Sequence, residues 1–462
     1  MLFDNAYNDN NIMDTQQTNS PAFSSRLGFI LAAAGSAVGV GNIWGFPTQA
    51  ASNGGGAFLL VYLVMIVLLA YPMLVAEVTI GRLRQRNPVA SLRSLSERPW
   101  LRRFGATSGI VGLLVLALIL SFYAIVSGWL LAYMLAPLMS LLGLTQTATW
   151  LTEFSITRNI SMMVIFMLLT IYVVRAGVSQ GIERWSRRLM PLLFILLLLM
   201  AAYILTLPGA LDGLKMYLVP DFSRINDPDL IIRAMGQAFF SLSIGVCCMM
   251  TYGAYLSRDA NLPKTTAWVA GIDTLVAFLA GLLILPAMFA AQANGVAIYA
   301  ADGSLLSADT LVFTVLPAMF DTLGGAGPYA AFGFFLLMTI AAVTSSISML
   351  EAPVNTLCEE TQSRRNGVVW LVAGSIAIFS AIIVFNFDAL FGLVVTVTTV
   401  YMQPLMALIF GVMLTWVLRQ HLLLRALQQG AENIETSYFW RIWPWYVKFI
   451  CPLLILLVMW RG

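Results

Sequence analysis

Apolar runs of about 18 residues or more, each long enough to cross a hydrocarbon core of about 30 Å, recur from one end of this chain to the other. Lipid offers no hydrogen bonds, so such a run must satisfy its own backbone and does so as a helix. Composition agrees: of 462 residues, 60% are hydrophobic and 10% charged, against roughly 45–50% and 25% in a soluble domain. The 25 Lys and Arg lie mostly in short loops between the runs, so the net charge of +3 reflects topology and not nucleic-acid binding. The four cysteines, Cys247, Cys248, Cys358 and Cys451, fall in or beside apolar segments and read as packing residues. His421 is the single histidine, which disfavours zinc sites built on His pairs and an intramembrane Ser/His dyad.

Eleven spans are predicted, numbered 1 to 11: 27–50, 56–81, 108–138, 159–175, 187–207, 231–256, 265–292, 327–358, 367–386, 389–418 and 442–460. Orientation follows from Lys and Arg in the short loops. The loop after span 2 holds Arg82, Arg84, Arg86, Arg93, Arg98, Arg102 and Arg103, and the loop after span 4 holds Arg175, Arg184, Arg187 and Arg188. Loop 293–325 has Asp302, Asp309 and Asp321 but no Lys or Arg, so it lies outside. The N-terminus is therefore expected in the cytoplasm and the C-terminus outside. Residues 1–22 are polar, lack the apolar core of a cleavable signal, and read as a disordered cytoplasmic tail. Loops 208–230 and 293–325 are long enough for short helices that cap a central opening.

Span 1 carries Gly35-Ser36-Ala37-Val38-Gly39-Val40-Gly41-Asn42 near its middle, then Pro47 and Asn53-Gly54-Gly55-Gly56. Gly35/Gly39 and Gly41/Gly45 have the spacing of a helix-packing face, which is one account of them. Span 6 repeats the pattern with Gly236 to Val246, again placing Gly and hydroxyls at mid-membrane depth. Spans 1 and 6 are five apart, and an odd number of spans per half inverts one half relative to the other. Paired interruptions at corresponding positions point to the midplane site of a secondary transporter. Unwound backbone frees carbonyls for a cation, and a half-helix N-terminus offers N–H groups to a carboxylate. Span 8 adds Thr344, Ser345, Ser346 and Ser348 as neutral oxygens. Span 7 adds Asp273, whose charge costs about 2.5–3.5 kcal/mol or more near a bilayer centre. Pairing with Lys264 would have to bridge nine residues of helix, about 13.5 Å.

The segment Gly28-Phe29-Ile30-Leu31-Ala32, Gly35 to Gly39, Asn42, Phe46-Pro47 and Asn53-Gly54-Gly55-Gly56-Ala57-Phe58 resembles the signature of the neurotransmitter:sodium symporters. The resemblance continues through Glu77 with Gly81-Arg82, Tyr123 with Trp129, Gln237 to Ser243, and Ala341 to Ser345. It implies an all-α integral membrane protein with a LeuT-like 5+5 inverted-repeat bundle and one extra C-terminal helix, like bacterial members of the family. The halves would be 23–207 and 231–418, joined by extracellular loop 208–230 and followed by a cytoplasmic loop and span 11 in 419–462. The implied location is a bacterial inner membrane.

Residue by residue, the resemblance implies two sodium ions. Ala37, Asn42, Ser241 and Asp273 would hold the first, and Gly35, Val38, Ala341, Thr344 and Ser345 the second. The substrate would lie between Ser36, Ala37, Val40 and Gly41, Ile119 and Tyr123, Phe240, Ser241, Ser243 and Val246, and Ser345 and Met349. Tyr123 would bind its carboxylate and Phe240 would cover it. Gly39 stands where monoamine transporters of the family carry an Asp, so the substrate should bring its own carboxylate. The expected function is sodium-coupled import of a hydrophobic L-amino acid, not an enzymatic activity. A non-transporting receptor of the same fold and an ion channel are the alternatives.

The family's chloride-dependent members place a Ser one turn beyond the span 7 ligand, and here that position is Ala277, while Tyr62, Gln237 and Ser241 keep the other partners. Chloride independence is therefore expected. Gly181 and Pro191 resemble the family's device for unwinding the inner end of span 5. Two gates depart from the family pattern. Gly45 replaces the outer Arg although Asp388 remains, and Ser20 replaces the inner Arg opposite Glu359, with Phe23 for the usual Trp.

Overall fold

The computed structural model describes residues 22–299, 305–306 and 311–461. The predicted tail up to residue 21, Ser20, Asp302 and Asp309 lie outside the described residues. Among those described, nine helices are long and apolar enough to cross a bilayer, and the pair Arg26–Ala37 and Gly41–Ser52 forms a further crossing bent by 55°. Span 6 is also broken, into Pro228–Ser241 and Cys248–Ala254 around residues 242–247. Span 3 runs Pro99–Leu141, 43 residues or about 64 Å of helix, so it extends well past the predicted 108–138. Both outer loops carry the expected short helices, at Ala210–Leu218 and within Leu311–Thr322.

Local chemistry sets the ends. Ser25 caps span 1 by accepting from the Gly28 N–H at 3.0 Å. Span 2 stops where Gln85 turns left-handed at φ 51°, and span 8 where Gln362 does so at φ 54°. Close packing needs small residues: a Cβ on Gly81 would collide with the Met250 carbonyl, and one on Gly253 with the Val78 carbonyl. The inner half of span 6 therefore lies backbone to backbone against span 2.

The packing pairs exchange when each of spans 1 to 5 is swapped with the span five later. Span 1 packs on span 7 as span 6 packs on span 2, and spans 3 and 4 pack together as do spans 8 and 9. Spans 5 and 7 match spans 10 and 2, and spans 3 and 9 match spans 8 and 4, while the pairs 3 with 8 and 4 with 9 map onto themselves. Span 11 sits outside this pattern, against spans 10 and 2. The exchange brings the two broken helices face to face with spans 3 and 8 at the middle of the bundle.

Candidate functional site

In span 1 the helix stops at Val38, which adopts φ −68°, ψ 105°, and the freed Gly39 N–H donates to Asn42 Oδ1 at 3.1 Å. In span 6 the break is more severe. Ser243, Gly245 and Cys247 all have positive φ, at 51°, 87° and 65°, and two of them are residues with a Cβ that disfavours this region. The Gly245 N–H, which has lost its helical acceptor, donates to Glu77 Oε2 of span 2 at 2.8 Å. Glu77 thus replaces backbone hydrogen bonding that the membrane interior cannot supply.

Two groups of oxygens form around these breaks. In the first, Asp273 is fully buried and accepts from Asn42 Nδ2 at 2.7 Å and from Ser241 Oγ at 2.7 Å. Asn42 also donates to Ser241 Oγ at 2.8 Å, and the Tyr62 hydroxyl donates to the same oxygen at 3.3 Å. No ion pair is made by Asp273 among the described residues, and Lys264, at the entrance to span 7, is exposed. A carboxylate buried among neutral donors alone lacks the counter-charge that buried charges ordinarily have.

The second group is neutral throughout. Ser345 Oγ donates toward the Val38 carbonyl at 3.0 Å and the Gly35 carbonyl at 3.4 Å, and Thr344 Oγ1 donates to the Ala341 carbonyl at 3.0 Å. Gly35 is needed here, because a Cβ would stand 3.3 Å from both Thr344 Cβ and Met190 Sδ. All five residues expected of a second cation site therefore meet in one place.

Between the groups lies a cavity lined by Ser36, Ala37, Gly39, Gly41, Asn42, Leu116, Ile119, Tyr123, Phe240, Ser241, Ser243, Val246, Ser345, Met349 and Gln403. It contains every residue expected around the substrate except Val40, which contributes its N–H to the Tyr123 hydroxyl at 3.3 Å and does not form the wall. The Phe240 ring lies against Gly41, where a Cβ would come within 2.6 Å of it. Leu116 and Gln403 were missed by sequence reasoning. Leu116 was within reach of it, since it lies on the helical face of Ile119 and Tyr123 at spacings of three and seven. Gln403 carried only the signal of an amide within span 10.

The gates differ from the family pattern. Glu359 pairs with Arg86 at 2.9 Å and accepts from the Asn87 N–H, so it braces the loop after span 2. The N-terminal end of span 1 is held instead by Glu183 of span 5, which accepts from the Ser24 N–H at 2.7 Å, Ser24 Oγ at 2.6 Å and Ser25 Oγ at 3.2 Å. Phe23 packs edge-on against Phe29, Tyr252 and Tyr255. The inner end of span 5 is wound in this state, with Val178–Glu183 as a π-helical turn after Gly177 at φ 83°. On the outer side Asp388 is exposed and makes no ion pair among the described residues. An aromatic wall closes that side: Phe313 of the outer loop meets Trp44, Trp129 and Tyr133 edge-on, and Trp129 stacks on Phe391 of span 10.

Residues 20–159 and 153–462 match the profile of the Sodium:neurotransmitter symporter family. The chain belongs to this family. It is 36% identical to the uncharacterized sodium-dependent transporter YhdH of Bacillus subtilis, over 94% of this chain and 96% of the relative. It is 30% identical to an uncharacterized sodium-dependent transporter of Haemophilus influenzae, over 96% of this chain and 99% of the relative. Its structure matches the crystal structure of MhsT in complex with L-phenylalanine at a TM-score of 0.80 and 34% identity, covering 95% of this chain and 99% of MhsT. This symporter is therefore a multi-pass, sodium-coupled membrane transporter of LeuT-like fold, and not an enzyme.

Proposed function

We propose that the symporter imports a hydrophobic L-amino acid with two sodium ions per cycle, independently of chloride. The observation that carries this is Asp273, a buried carboxylate whose only partners among the described residues are neutral donors. One sodium ion would neutralise it beside Asn42, Ser241 and the Ala37 carbonyl, and the substrate carboxylate would adjoin that ion. The second ion would sit among the Gly35, Val38 and Ala341 carbonyls and the Thr344 and Ser345 hydroxyls. Support for the substrate class comes from the Tyr123 hydroxyl beside the span 1 break and from Ile119, Val246 and Met349 along the wall. MhsT, crystallised with L-phenylalanine, is consistent with it. The fixed charge of Asp273, one turn from Ala277, supplies the negative charge that a bound chloride would otherwise bring.

The halves would be residues 23–207 and 231–418, in a bacterial inner membrane with the N-terminus inside and the C-terminus outside. Two ions moving down about 100 mV and an assumed tenfold gradient provide about 7 kcal/mol per cycle, enough for accumulation near 10⁵-fold. Purified protein in proteoliposomes should accumulate radiolabelled L-phenylalanine or L-leucine on an inward sodium gradient and not on a potassium gradient. Stronger competition by charged amino acids or by dopamine than by leucine, methionine, tyrosine or tryptophan would overturn the substrate class. Saturable sodium-dependent binding without flux would instead make the protein a receptor.

A further inference from the structure

A second cavity, of about 360 Å³, opens where the loop after span 2 meets the start of span 3, a volume within the roughly 300–1,000 Å³ of ordinary ligand sites. Arg84, Arg86, Arg93 and Arg102 line it, and Glu97 is the one carboxylate in its wall. It shares no lining residue with the central cavity. Orientation in the membrane accounts for how many arginines this loop holds, but not for four of them lining one hollow. Like charges gathered around a concavity concentrate anions there.

Two of the four guanidiniums are held by the end of span 8. Arg86 Nε donates to Glu359 Oε1 at 2.9 Å, and Arg93 Nη2 stands 3.6 Å from Glu360 Oε2, yet these arginine side chains remain 55% and 42% exposed. Arg102 and Glu97 are exposed and make no side-chain hydrogen bond or ion pair among the described residues. The direction of Arg102 is set by span 3. Trp100, Phe104, Ile110 and Leu114 are exposed and form one apolar stripe along that helix. At about 100° per residue, Arg103 falls on the stripe and Arg102 about 140° from its middle. That far side is the one packed on the short helix Pro88–Arg93, since a Cβ on Gly105 would collide with the Leu92 carbonyl.

We propose that this cavity binds a phosphate group, carried either by a small soluble ester or by the headgroup of an anionic phospholipid. A guanidinium presents its N–H groups as a planar fork that fits two phosphate oxygens. The forks here come from different elements: Arg84 and Arg86 at the end of span 2, Arg93 in the short helix and Arg102 in span 3. A tetrahedral phosphate directs its oxygens out of one plane and meets several of them at once. A planar carboxylate presents its two oxygens in one plane, and chloride has no pair of oxygens to match a fork. The bound group would tie the end of span 2 to span 3 and, through Arg86 and Arg93, to the end of span 8. The site is independent of the amino-acid reading above.

The test follows the thermal unfolding midpoint of the purified, delipidated protein in a nonionic detergent, because a ligand of the folded state raises it. Glycerol 1-phosphate is the soluble probe, compared with acetate and chloride at equal ionic strength. Dioleoyl phosphatidylglycerol is the lipid probe, compared with dioleoyl phosphatidylcholine. The parent should show a saturable rise with one or both probes that the comparison compounds do not produce. A rise with glycerol 1-phosphate assigns a free phosphate ester, and a rise with phosphatidylglycerol alone assigns a lipid headgroup. Arg102→Gln should weaken the apparent affinity about 5- to 10-fold, whereas Arg103→Gln, which removes the same charge from the apolar stripe, should change it less than about 2-fold. Arg102 is exposed and unpaired among the described residues, so its variant should fold. If it does not, the parent's preference for the probes over the comparison compounds still decides the matter. No saturable rise with either probe, an equal rise with acetate and chloride, or equal losses in the two variants would overturn the proposal.

Discussion

The oxygens around Asp273 and those around Thr344 and Ser345 both exist because span 1 is interrupted at Val38 to Val40, yet they are chemically unlike. The first set contains a carboxylate, buried and accepting two hydrogen bonds, one from Asn42 and one from Ser241. The second contains only carbonyls and hydroxyls. A cation in the first is held by charge as well as by dipoles, whereas one in the second is held by dipoles alone and leaves more readily. Position sharpens the contrast. The neutral group adjoins Met190 of span 5, the helix whose inner end carries the Glu183 latch. The neutral site should therefore be the one that empties first toward the cytoplasm.

Four experiments test this contrast. The largest effect is expected from Asp273→Asn, which should lower sodium-dependent uptake about 100-fold or more, about 2.7 kcal/mol. Adding Ala277→Ser should restore part of the activity in chloride and none in gluconate. Recovery that is equal in the two salts would show that Asp273 does not stand in for an anion.

Next in size, Thr344→Val with Ser345→Ala should raise the sodium concentration for half-maximal uptake about 10-fold or more and abolish uptake at ordinary sodium. Both changes are near-isosteric in an apolar helix, so thermal unfolding should shift little. Unchanged sodium dependence would remove the second site from the scheme.

A smaller effect is expected at the latch. Hydrogen bonds to a charged acceptor contribute about 1.5–3 kcal/mol each, and Glu183→Gln weakens the three it receives from Ser24 and Ser25. In a Cys358→Ser background, a cysteine at Met190 should be labelled from the cytoplasmic side about 2- to 5-fold faster when Glu183→Gln is present. Equal labelling rates would assign inner closure to the Phe23 contacts alone. The smallest change of all should follow replacement of chloride by gluconate in the parent, where uptake should alter by less than about 20%, well below the fivefold that 1 kcal/mol represents. A strong loss would refute the view that Asp273 supplies the needed charge.

Much of the site was legible because it is encoded locally. Glycine and hydroxyl runs mark where spans 1 and 6 cannot stay helical, and an acid in span 7 is too costly in lipid to lack a purpose. The fifteen-residue wall of the cavity is a different matter, since only eleven of its members belonged to the expected substrate set. Gly39 and Asn42 were singled out for other roles, while Leu116 and Gln403 went unremarked. The gates divide the same way. The absence of an outer Arg at Gly45 was plain from sequence, but the aromatic wall that stands in its place joins residues from spans 1, 3 and 10 and the outer loop.

The sequence by itself determined a membrane-spanning helical bundle, the places where two helices break, and the residue types gathered near those breaks. These are properties of short windows: apolar length, glycine content and the cost of an unpaired charge. Tertiary structure alone decided which of those atoms meet. Ser36 reaches Ser348 across 312 positions of sequence, Asn42 reaches Asp273 across 231, and Glu183 reaches Ser24 across 159. It also decided that Gln403 lines the cavity, because the π-helical turn Thr396–Met402 that precedes it in span 10 shifts helical register in a way that a regular 3.6-residue period cannot reveal. Helix formation follows from neighbouring residues, whereas the meeting of two oxygens depends on how whole helices pack, which no local pattern records.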